Sequence, residues 1–330
     1  MSKKVNDGYL SAKESRRISR ENRKITNALE KKHKRRNVPE SEYLTEMHDK
    51  NNVLEIENLH TYFFTDVGTV RSVDGITFEV PIGKTVGIVG ESGCGKSVTS
   101  LSIMQLLQRP QGQIVDGEIR LNLGDKAYDE TKAPNEVMQH LRGNFVSMIF
   151  QELVYAPNLS VAENLCLGDP PRTKAGFVDW KTMREQADEI LKIEHIHTTP
   201  NAMMYTVPIS DAQMMEIVKA TYHNAKIVIM DEPTSSLTQH ESERLFDKIR
   251  RLKEEGCAVI YISHKMDEIF RLSDYVTIMR DGCNIKTAPI GEFTEKDVIS
   301  MMVGREIKNM FPKSNTPTTE EFFRVEHLTS

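Results

Sequence analysis

The amino-acid sequence predicts an α/β fold with a parallel core sheet, and two observations support this. The first is a set of three short, apolar, largely β-branched runs, which are typical of strands buried on both faces. They span residues 85–89, 227–230 and 258–262. The second is the helical spacing of apolar residues over 181–197 and 239–255, because parallel strands need helical crossovers. We expect the second helix to stop at Gly256, since glycine commonly follows a helix C-terminus.

Strands of another kind are predicted upstream of this core. Residues 53–56 alternate between apolar and polar, and residues 72–80 show a similar pattern. A period of two is typical of a strand with one face in the core and one face in solvent.

The composition limits the class of protein. Of the 330 residues, 38% are hydrophobic and 28% are charged, and the mean hydropathy is −0.45. No apolar run approaches the roughly 18–20 residues of a membrane-spanning helix, which excludes a membrane-embedded protein. The first residues contain no apolar segment of the signal-peptide type, so we expect a cytosolic chain. The four cysteines show no CxxC spacing, so neither a zinc site nor a disulfide framework is indicated.

The charge is unevenly distributed. Residues 1–50 carry a net charge of +6 and residues 51–330 a net charge of −11. We predict that residues 1–52 form a solvated, partly helical, basic extension that does not join the core. Contact with anionic lipid headgroups or with nucleic acid is the alternative. No aromatic residue is interleaved with the basic run 31–36, so we expect no nucleic-acid partner.

A phosphate-binding motif follows the first buried strand. The segment 90–97 has the pattern G-x-x-x-x-G-K-S, with a predicted helix over 98–108. Its glycines let backbone N–H groups surround phosphate oxygens at a helix N-terminus. We expect Lys96 to reach the β- and γ-phosphates of ATP and the Ser97 hydroxyl to ligate Mg²⁺. The complete set of predicted nucleotide-binding residues here is Gly90, Glu91, Ser92, Gly93, Cys94, Gly95, Lys96, Ser97 and Val98.

Polar residues end the other two buried strands. Asp231 and Glu232 directly follow the run 227–230, and His264 follows the run 258–262. The carboxyl ends of parallel strands share one edge, so these side chains are expected beside the phosphate loop. There Asp231 can hold Mg²⁺, Glu232 can polarise the attacking water, and His264 can contact the γ-phosphate.

In combination these motifs resemble the ATP-binding subunits of ABC transporters over about residues 53–310. The resemblance implies a P-loop NTPase fold with a parallel core sheet, an antiparallel β subdomain and a helical subdomain at about 152–224. It also implies that Gln151 senses Mg²⁺ and the membrane subunit, and that Phe63, or else Tyr62, stacks on adenine. The implied activity is ATP hydrolysis that powers import. The implied partners are membrane permease subunits and, through them, a substrate-binding protein. The cassette is also expected to form an ATP-dependent homodimer or to pair with a second cassette. The implied location is the inner face of the cell membrane.

The resemblance has two parts. Residues 1–151 resemble the ATPases of oligopeptide and dipeptide importers. Residues 152–330 resemble the first cassette of galactose, methyl-galactoside and ribose importer ATPases, with motifs such as DEPTSSLT at 231–238. The later part contains the helical subdomain that meets the permease, so a carbohydrate substrate is favoured over a peptide. Residues 323–330 are similar to residues 54–61, so we expect 311–330 to be a linker and the first strand of a truncated second cassette.

The family's signature loop is degenerate in this chain. It is expected at 207–211, where Pro208 replaces the serine and Asp211 replaces the glutamine. Proline has no N–H to donate, and an aspartate repels phosphate. In an alternative register, Ser210 and Gln213 form a capping box that begins a helix over 214–220 and presents N–H groups to an anion. A nucleotide-binding module with weak hydrolysis is therefore the alternative function. A P-loop kinase is disfavoured because the phosphate-binding motif at 90–97 and the acidic motif at 231–232 are too far apart in the sequence.

Overall fold

The computed structural model describes residues 11–151, 154–222 and 225–304. Its strands are β1 (Leu44–Thr45), β2 (Asn52–Thr65), β3 (Gly68–Pro81), β4 (Thr85–Gly90), β5 (Gly112–Asn122), β6 (Ala127–Asp129), β7 (Val146–Ile149), β8 (Ile227–Asp231), β9 (Ala258–Ile262), β10 (Tyr275–Arg280) and β11 (Cys283–Pro289). Its helices are α1 (Ala12–His33), α2 (Lys96–Ile103), α3 (Asn135–Leu141), α4 (Val161–Leu165), α5 (Trp180–Ile193), α6 (Ile209–Tyr222), α7 (Gln239–Glu254), α8 (Met266–Leu272) and α9 (Glu295–Val303). The predicted second-cassette stub at 311–330 lies outside the described residues.

The core is a six-stranded sheet in the order β11-β10-β4-β9-β8-β7. Strands β10, β4, β9, β8 and β7 run parallel, and β11 pairs with β10 in the antiparallel sense. Every residue of β4, β8 and β9 is buried, which confirms the prediction of strands covered on both faces. Because these three strands are adjacent and parallel, their carboxyl ends bring the predicted motifs to one edge.

A second sheet is antiparallel, in the order β1-β6-β5-β2-β3. It contains the predicted strands 53–56 and 72–80, which are parts of two longer strands of 14 residues each. Ile56 lies opposite Phe78 on one neighbour and Ile119 on the other, and all three side chains are buried. The predicted antiparallel β subdomain is thus confirmed.

The basic extension joins this second sheet, so the prediction that it stays out of the core is wrong for its described residues. Tyr43 is buried and packs edge-to-face on Tyr128 with ring centroids 4.8 Å apart. On α1 the buried side chains are polar: Asn22 donates to the backbone oxygen of Thr65 at 2.8 Å, and Glu30 is also buried. Polar docking of this kind leaves no apolar periodicity in the sequence, which is why the pattern did not predict it.

Helices α4, α5 and α6 occupy the long insertion between β7 and β8. This is the part of the chain in which the helical subdomain is predicted. A small cluster of Ala162, Met183 and Ala187 holds α4 against α5. The apolar residues of α6, such as Met214 and Ile217, belong instead to the main core cluster. In the described part of the chain, no helix is long and apolar enough to cross a membrane.

Candidate nucleotide-binding site

The phosphate loop connects β4 to α2 through backbone that only glycine accommodates. Gly93 and Gly95 have φ angles of +80° and +105°. A Cβ atom on Gly95 would lie 2.3 Å from the backbone oxygen of Ser72, so the loop also packs too tightly for a side chain there. Lys96 is buried and its ammonium donates to the backbone oxygens of Gly90 and Glu91 at 2.9 Å. The lysine is therefore held within the loop and its charge faces the loop interior.

The thiol of Cys94 is packed beneath the loop. It is buried, and burial raises its pKa, so the side chain is a neutral filler with no sign of thiolate chemistry. The helix that follows is shorter than predicted. It ends at Ile103 rather than at residue 108, because the chain turns at Gln105, whose φ is +51°.

A cavity of about 540 Å³ opens above the loop. It is lined by Ser72, Gly90, Ser92, Gly93, Gly95, Lys96, Ser97, Val98, Gln151, Glu232 and His264. Ten of these eleven residues were predicted from sequence motifs that lie far apart along the chain. Ser72 was not, because it belongs to the antiparallel sheet and carries no motif of its own. The structure thus brings the phosphate loop and both strand ends together.

Asp231 ends β8 next to Ser97. Burial raises the pKa of its carboxyl, the Ser97 hydroxyl opposes this by hydrogen bonding, and the negative charge of Glu232 raises it further. The positive charge of Lys96 lowers the pKa, and the net shift is upward. A divalent cation at Ser97 would add positive charge beside this carboxylate.

Three polar side chains meet directly at the mouth of the cavity. The Gln151 amide donates to Oε2 of Glu232 at 3.0 Å, and Nδ1 of His264 lies 3.2 Å from its Oε1. Glu232 is held for this contact in the left-handed region at φ +48°, which costs a non-glycine residue about 1–3 kcal/mol. The structure thus brings these three predicted residues together, and their roles remain proposals.

Behind this mouth a buried carboxylate joins the two strand ends, and the sequence analysis missed it. Glu268 on α8 accepts hydrogen bonds from Thr234 at 2.8 Å, Tyr261 at 2.8 Å and Ser263 at 3.1 Å. Thr234 comes two residues after Glu232, and Ser263 comes directly before His264. The Glu268 carboxylate therefore holds the backbone segments that carry Glu232 and His264. A lone glutamate on a short helix gives no signal of this in the sequence.

The two aromatic candidates for adenine lie outside the cavity. Tyr62 donates to Asp74 at 2.6 Å, and the guanidinium of Arg71 lies 5.4 Å from the centre of its ring. Phe63 packs against Gly112, where an added Cβ would lie 2.8 Å from its ring. The stacking of either residue on adenine stays a prediction.

The degenerate signature forms the start of α6, which begins at Ile209. The alternative in which Ser210 caps a helix starting at 214 is wrong, because Ser210 is already inside the first turn. Ser210 contributes to lowering the pKa of the Glu241 carboxyl on α7, and it does not line the cavity. Gln213 turns inward and donates to the backbone oxygen of Pro233. Proline forms favourable helix starts, which explains why α6 begins directly after Pro208.

The predicted ligands for Mg²⁺ are Ser97, Gln151 and Asp231, which offer a hydroxyl, an amide oxygen and a carboxylate. Such hard oxygen donors suit Mg²⁺, which usually takes one or two carboxylates together with phosphates and water. Over 11–151, 154–222 and 225–304 no group of three or more His, Cys, Asp or Glu side chains could hold a metal ion.

The fold and the cavity define a P-loop nucleotide-binding cassette, and comparisons with known proteins identify its family. A family model described as ABC transporter matches residues 73–235. A ribose import ATP-binding protein, RbsA 3, of Rubrobacter xylanophilus is 39% identical over 259 residues, or 78% of this chain and 50% of that protein. The galactose/methyl galactoside import ATP-binding protein MglA of Treponema denticola is 38% identical over 276 residues, or 84% and 52%. The chain belongs to the ABC transporter family.

A solved structure supports the fold. The dimeric, post-hydrolysis state of the ATP-binding cassette MJ0796, bound to ADP and Pi, superimposes with a TM-score of 0.62 at 19% identity, covering 72% of this chain and 98% of that chain. The chain spans about half the length of the sugar-import relatives it matches. The resemblance of residues 1–151 to oligopeptide and dipeptide importers has no counterpart among the relatives described here and stays a prediction.

Proposed function

We propose that this chain binds and hydrolyses ATP to power the import of a carbohydrate through a separate membrane permease, from the cytoplasmic face of the membrane. The observation that carries the proposal is the contact of Gln151, Glu232 and His264 at the mouth of the cavity. Hydrolysis needs a general base that accepts a proton from the attacking water, a side chain that contacts the γ-phosphate and a side chain near the metal ion. These three side chains supply one group for each role.

In this mechanism the phosphate loop binds the triphosphate by its N–H groups, and Lys96 neutralises the β- and γ-phosphates. Ser97 and Asp231, with Gln151 nearby, would hold Mg²⁺, which would supply positive charge to the phosphate oxygens. Glu232 accepts the proton of the attacking water, and His264 donates a hydrogen bond to the γ-phosphate. In the structure Gln151 and His264 each contact one of the two Glu232 oxygens, and each oxygen keeps a second lone pair that can accept a hydrogen bond from water.

The Glu232→Gln substitution tests this proposal. The amide keeps the shape of the side chain but accepts no proton, so we expect steady-state ATPase activity to fall about 10²- to 10⁴-fold. ATP binding, measured with a fluorescent analogue, should stay within about twofold. Glu189→Gln, an exposed carboxylate on α5, is the matched control and should leave both quantities unchanged. Hydrolysis at the wild-type rate in Glu232→Gln would refute the role of this residue.

A groove next to the site supports a permease partner. It has a volume of about 530 Å³ and lies between the core sheet and the helical subdomain. Val154 and Leu167 line it and are 66% and 51% exposed, so the groove offers accessible apolar surface to a partner. Phe150, another lining residue, directly precedes Gln151. A permease helix seated here would thus act one residue away from the nucleotide site.

The substrate class is inferred from the relatives. The two described above import ribose and galactose or methyl galactoside, according to their names. We therefore propose a sugar rather than a peptide as the transported molecule, delivered by a substrate-binding protein. Transport assays with the permease and labelled sugars would test this.

A second candidate function is favoured by Pro208 and Asp211, which lie at the start of α6. If α6 closes over a partner's phosphate, Pro208 offers no N–H and Asp211 adds a negative charge in the first helical turn. The chain would then bind nucleotide well but hydrolyse it slowly, as a regulatory or asymmetric member of an assembly. ATPase measurements with and without the permease separate the two candidates.

A further inference from the structure

The outer face of α1 carries a continuous line of positive charge. Its inner face is marked by the buried polar residues Asn22, Thr26 and Glu30, four residues apart. On the opposite side, exposed cations recur every three or four residues over most of the helix, a spacing that places them on one face. We call this set the basic stripe; it consists of Lys13, Arg17, Arg20, Lys24 and Lys31.

The charge of the basic stripe is only partly balanced within its own segment. Residues 12–36 contain eleven Lys and Arg against three Glu. Glu30 is turned inward to Arg109, and Glu14 is engaged with Ser11 in the capping box of α1. The third, Glu21, is exposed on α1 four residues after Arg17. Within the described residues, the ion pairs that this segment forms use Glu30, Lys34 and Arg35, and none uses a member of the basic stripe. A face of this kind attracts a polyanion.

The position of α1 favours one kind of polyanion. A cavity at its C-terminal end is lined by Lys34, Arg36 and Arg109, and it shares Gln139 and Arg142 with the apolar groove described above. That groove is the proposed permease dock, so this step rests on the proposed function. A permease lies in the bilayer, and a helix that adjoins its dock is therefore close to the lipid headgroups.

The rest of the molecule strengthens this orientation. Residues 51–330 carry a net charge of −11, so an anionic membrane repels the body and attracts the extension. The helix has 22 residues and is about 33 Å long, much longer than the roughly 8 Å over which salt screens charge. The basic stripe must therefore lie along the surface rather than point towards it for all of its cations to contribute.

We propose that α1 docks on the anionic phospholipid surface of the membrane through the basic stripe. Clusters of several Lys and Arg on a helix beside a membrane are sufficient for such binding. Between residues 11 and 36 there is no Phe, Tyr or Trp to stack on bases, which favours lipid over nucleic acid. Lipid contact of this kind would hold the cassette at the membrane in addition to its contact with the permease.

The test is co-sedimentation of the purified chain with vesicles in the absence of permease. The wild type should bind vesicles that contain about a quarter phosphatidylglycerol, should not bind pure phosphatidylcholine, and should be released by about 0.5 M salt. Replacing Arg17, Arg20, Lys24 and Lys31 by Gln, which preserves helix propensity, should weaken binding at least about 30-fold. The matched control replaces four exposed cations around α5, Lys174, Lys181, Arg184 and Lys192, and should bind like the wild type.

A further variant separates charge from folding. Replacing Arg17 and Arg20 by Lys keeps the charge and should keep the binding, whereas loss of binding in this variant would contradict a purely electrostatic contact. Equal binding to both kinds of vesicle, or binding to an oligonucleotide but not to anionic vesicles, would overturn the proposal. Binding of ATP is measured on the same preparations. A chain that binds ATP but no vesicles refutes only the lipid contact, and one that binds vesicles but no ATP refutes only the proposed function.

Discussion

Pro208 is the residue whose chemistry conflicts most clearly with the rest of the site. It lies directly before α6, and its backbone oxygen accepts the N–H of Ala212 at 2.9 Å, so it takes part in the first helical turn. A proline suits this position structurally. It supplies no hydroxyl and no N–H, and the loss matters only if this helix end meets phosphate.

We expect Pro208→Ser to raise steady-state ATPase activity about 2- to 10-fold, which corresponds to one hydrogen bond gained in the transition state. The matched control is Pro171→Ser, in a loop of the same subdomain, and it should leave the rate unchanged. A rate that does not respond to Pro208→Ser would show that this end of α6 contributes nothing to hydrolysis, and the weak-hydrolysis candidate would lose its basis.

At the scale of single residues, the sequence predicted the groups that carry motifs and missed those that support them. Lys96, Glu232 and His264 could be placed together because each follows a buried strand, and parallel strands end at one edge. Glu268 could not, because its function depends on three partners, Thr234, Tyr261 and Ser263, that only the packed structure brings to it. Such support residues have no pattern along the chain.

Among the elements, α1 is held against the sheet in part by a buried carboxylate, that of Glu30. Burial raises the pKa of Glu30, but hydrogen bonds from Gln113, Lys34 and Arg109 lower it more, to about 2. Its ordinary value is 4.5. Because the folded carboxyl has the lower pKa, the unfolded state binds the extra proton, and the contact stabilises the fold fully only above about pH 4.5.

We therefore predict that stability falls as the pH drops from about 5 towards 2, by about 3 kcal/mol through Glu30 alone. Urea unfolding at a series of pH values measures this. Glu30→Gln should be less stable than the wild type at pH 7 but should lose less stability on acidification, because its amide does not titrate. Parallel pH curves for the two proteins would contradict the role of Glu30. Amide exchange in α1 shows whether this helix is released first.

Elements with strong apolar patterns were predicted well and those docked by polar groups were not. The predicted limits of β9 agree with the structure, and α7 starts and ends within a residue of its prediction because a capping box at Thr238 begins it and Gly256 follows it. The docking of α1 on the antiparallel sheet was not predicted. Its basic residues suggested a solvated helix. The buried polar face that fastens α1 to β2 and β5 has the same composition as an exposed helix face, so the sequence does not distinguish the two.

At the scale of the whole molecule, we propose that the site is completed by a second copy or by a second cassette. The start of α6 and the phosphate loop are separate surfaces, since neither Pro208 nor Ser210 lines the cavity. The part of this chain that matches the relatives covers about half of each of them, and the MJ0796 cassette is dimeric. In this proposal, a partner would bring its own α6 to the phosphates and so close the site.

We expect Glu232→Gln to form a dimer with ATP and to remain a monomer of 37.7 kDa with ADP, as measured by light scattering after size exclusion. Slow hydrolysis keeps the γ-phosphate in place, and this phosphate is the group that a second copy would bind. Lys96→Ala in the same background removes the charge that holds the phosphates and should stay monomeric. If the chain remains a monomer at saturating ATP, its partner is a different cassette rather than a second copy.

The left-handed backbone at Glu232 has a consequence for engineering this protein. A glycine there would relieve the conformational cost of about 1–3 kcal/mol. A search for thermostable variants that ignores activity would therefore select this change early, and it would remove the proposed base. The strained backbone and the proposed base are the same residue, so a stabilised variant has to gain its stability elsewhere.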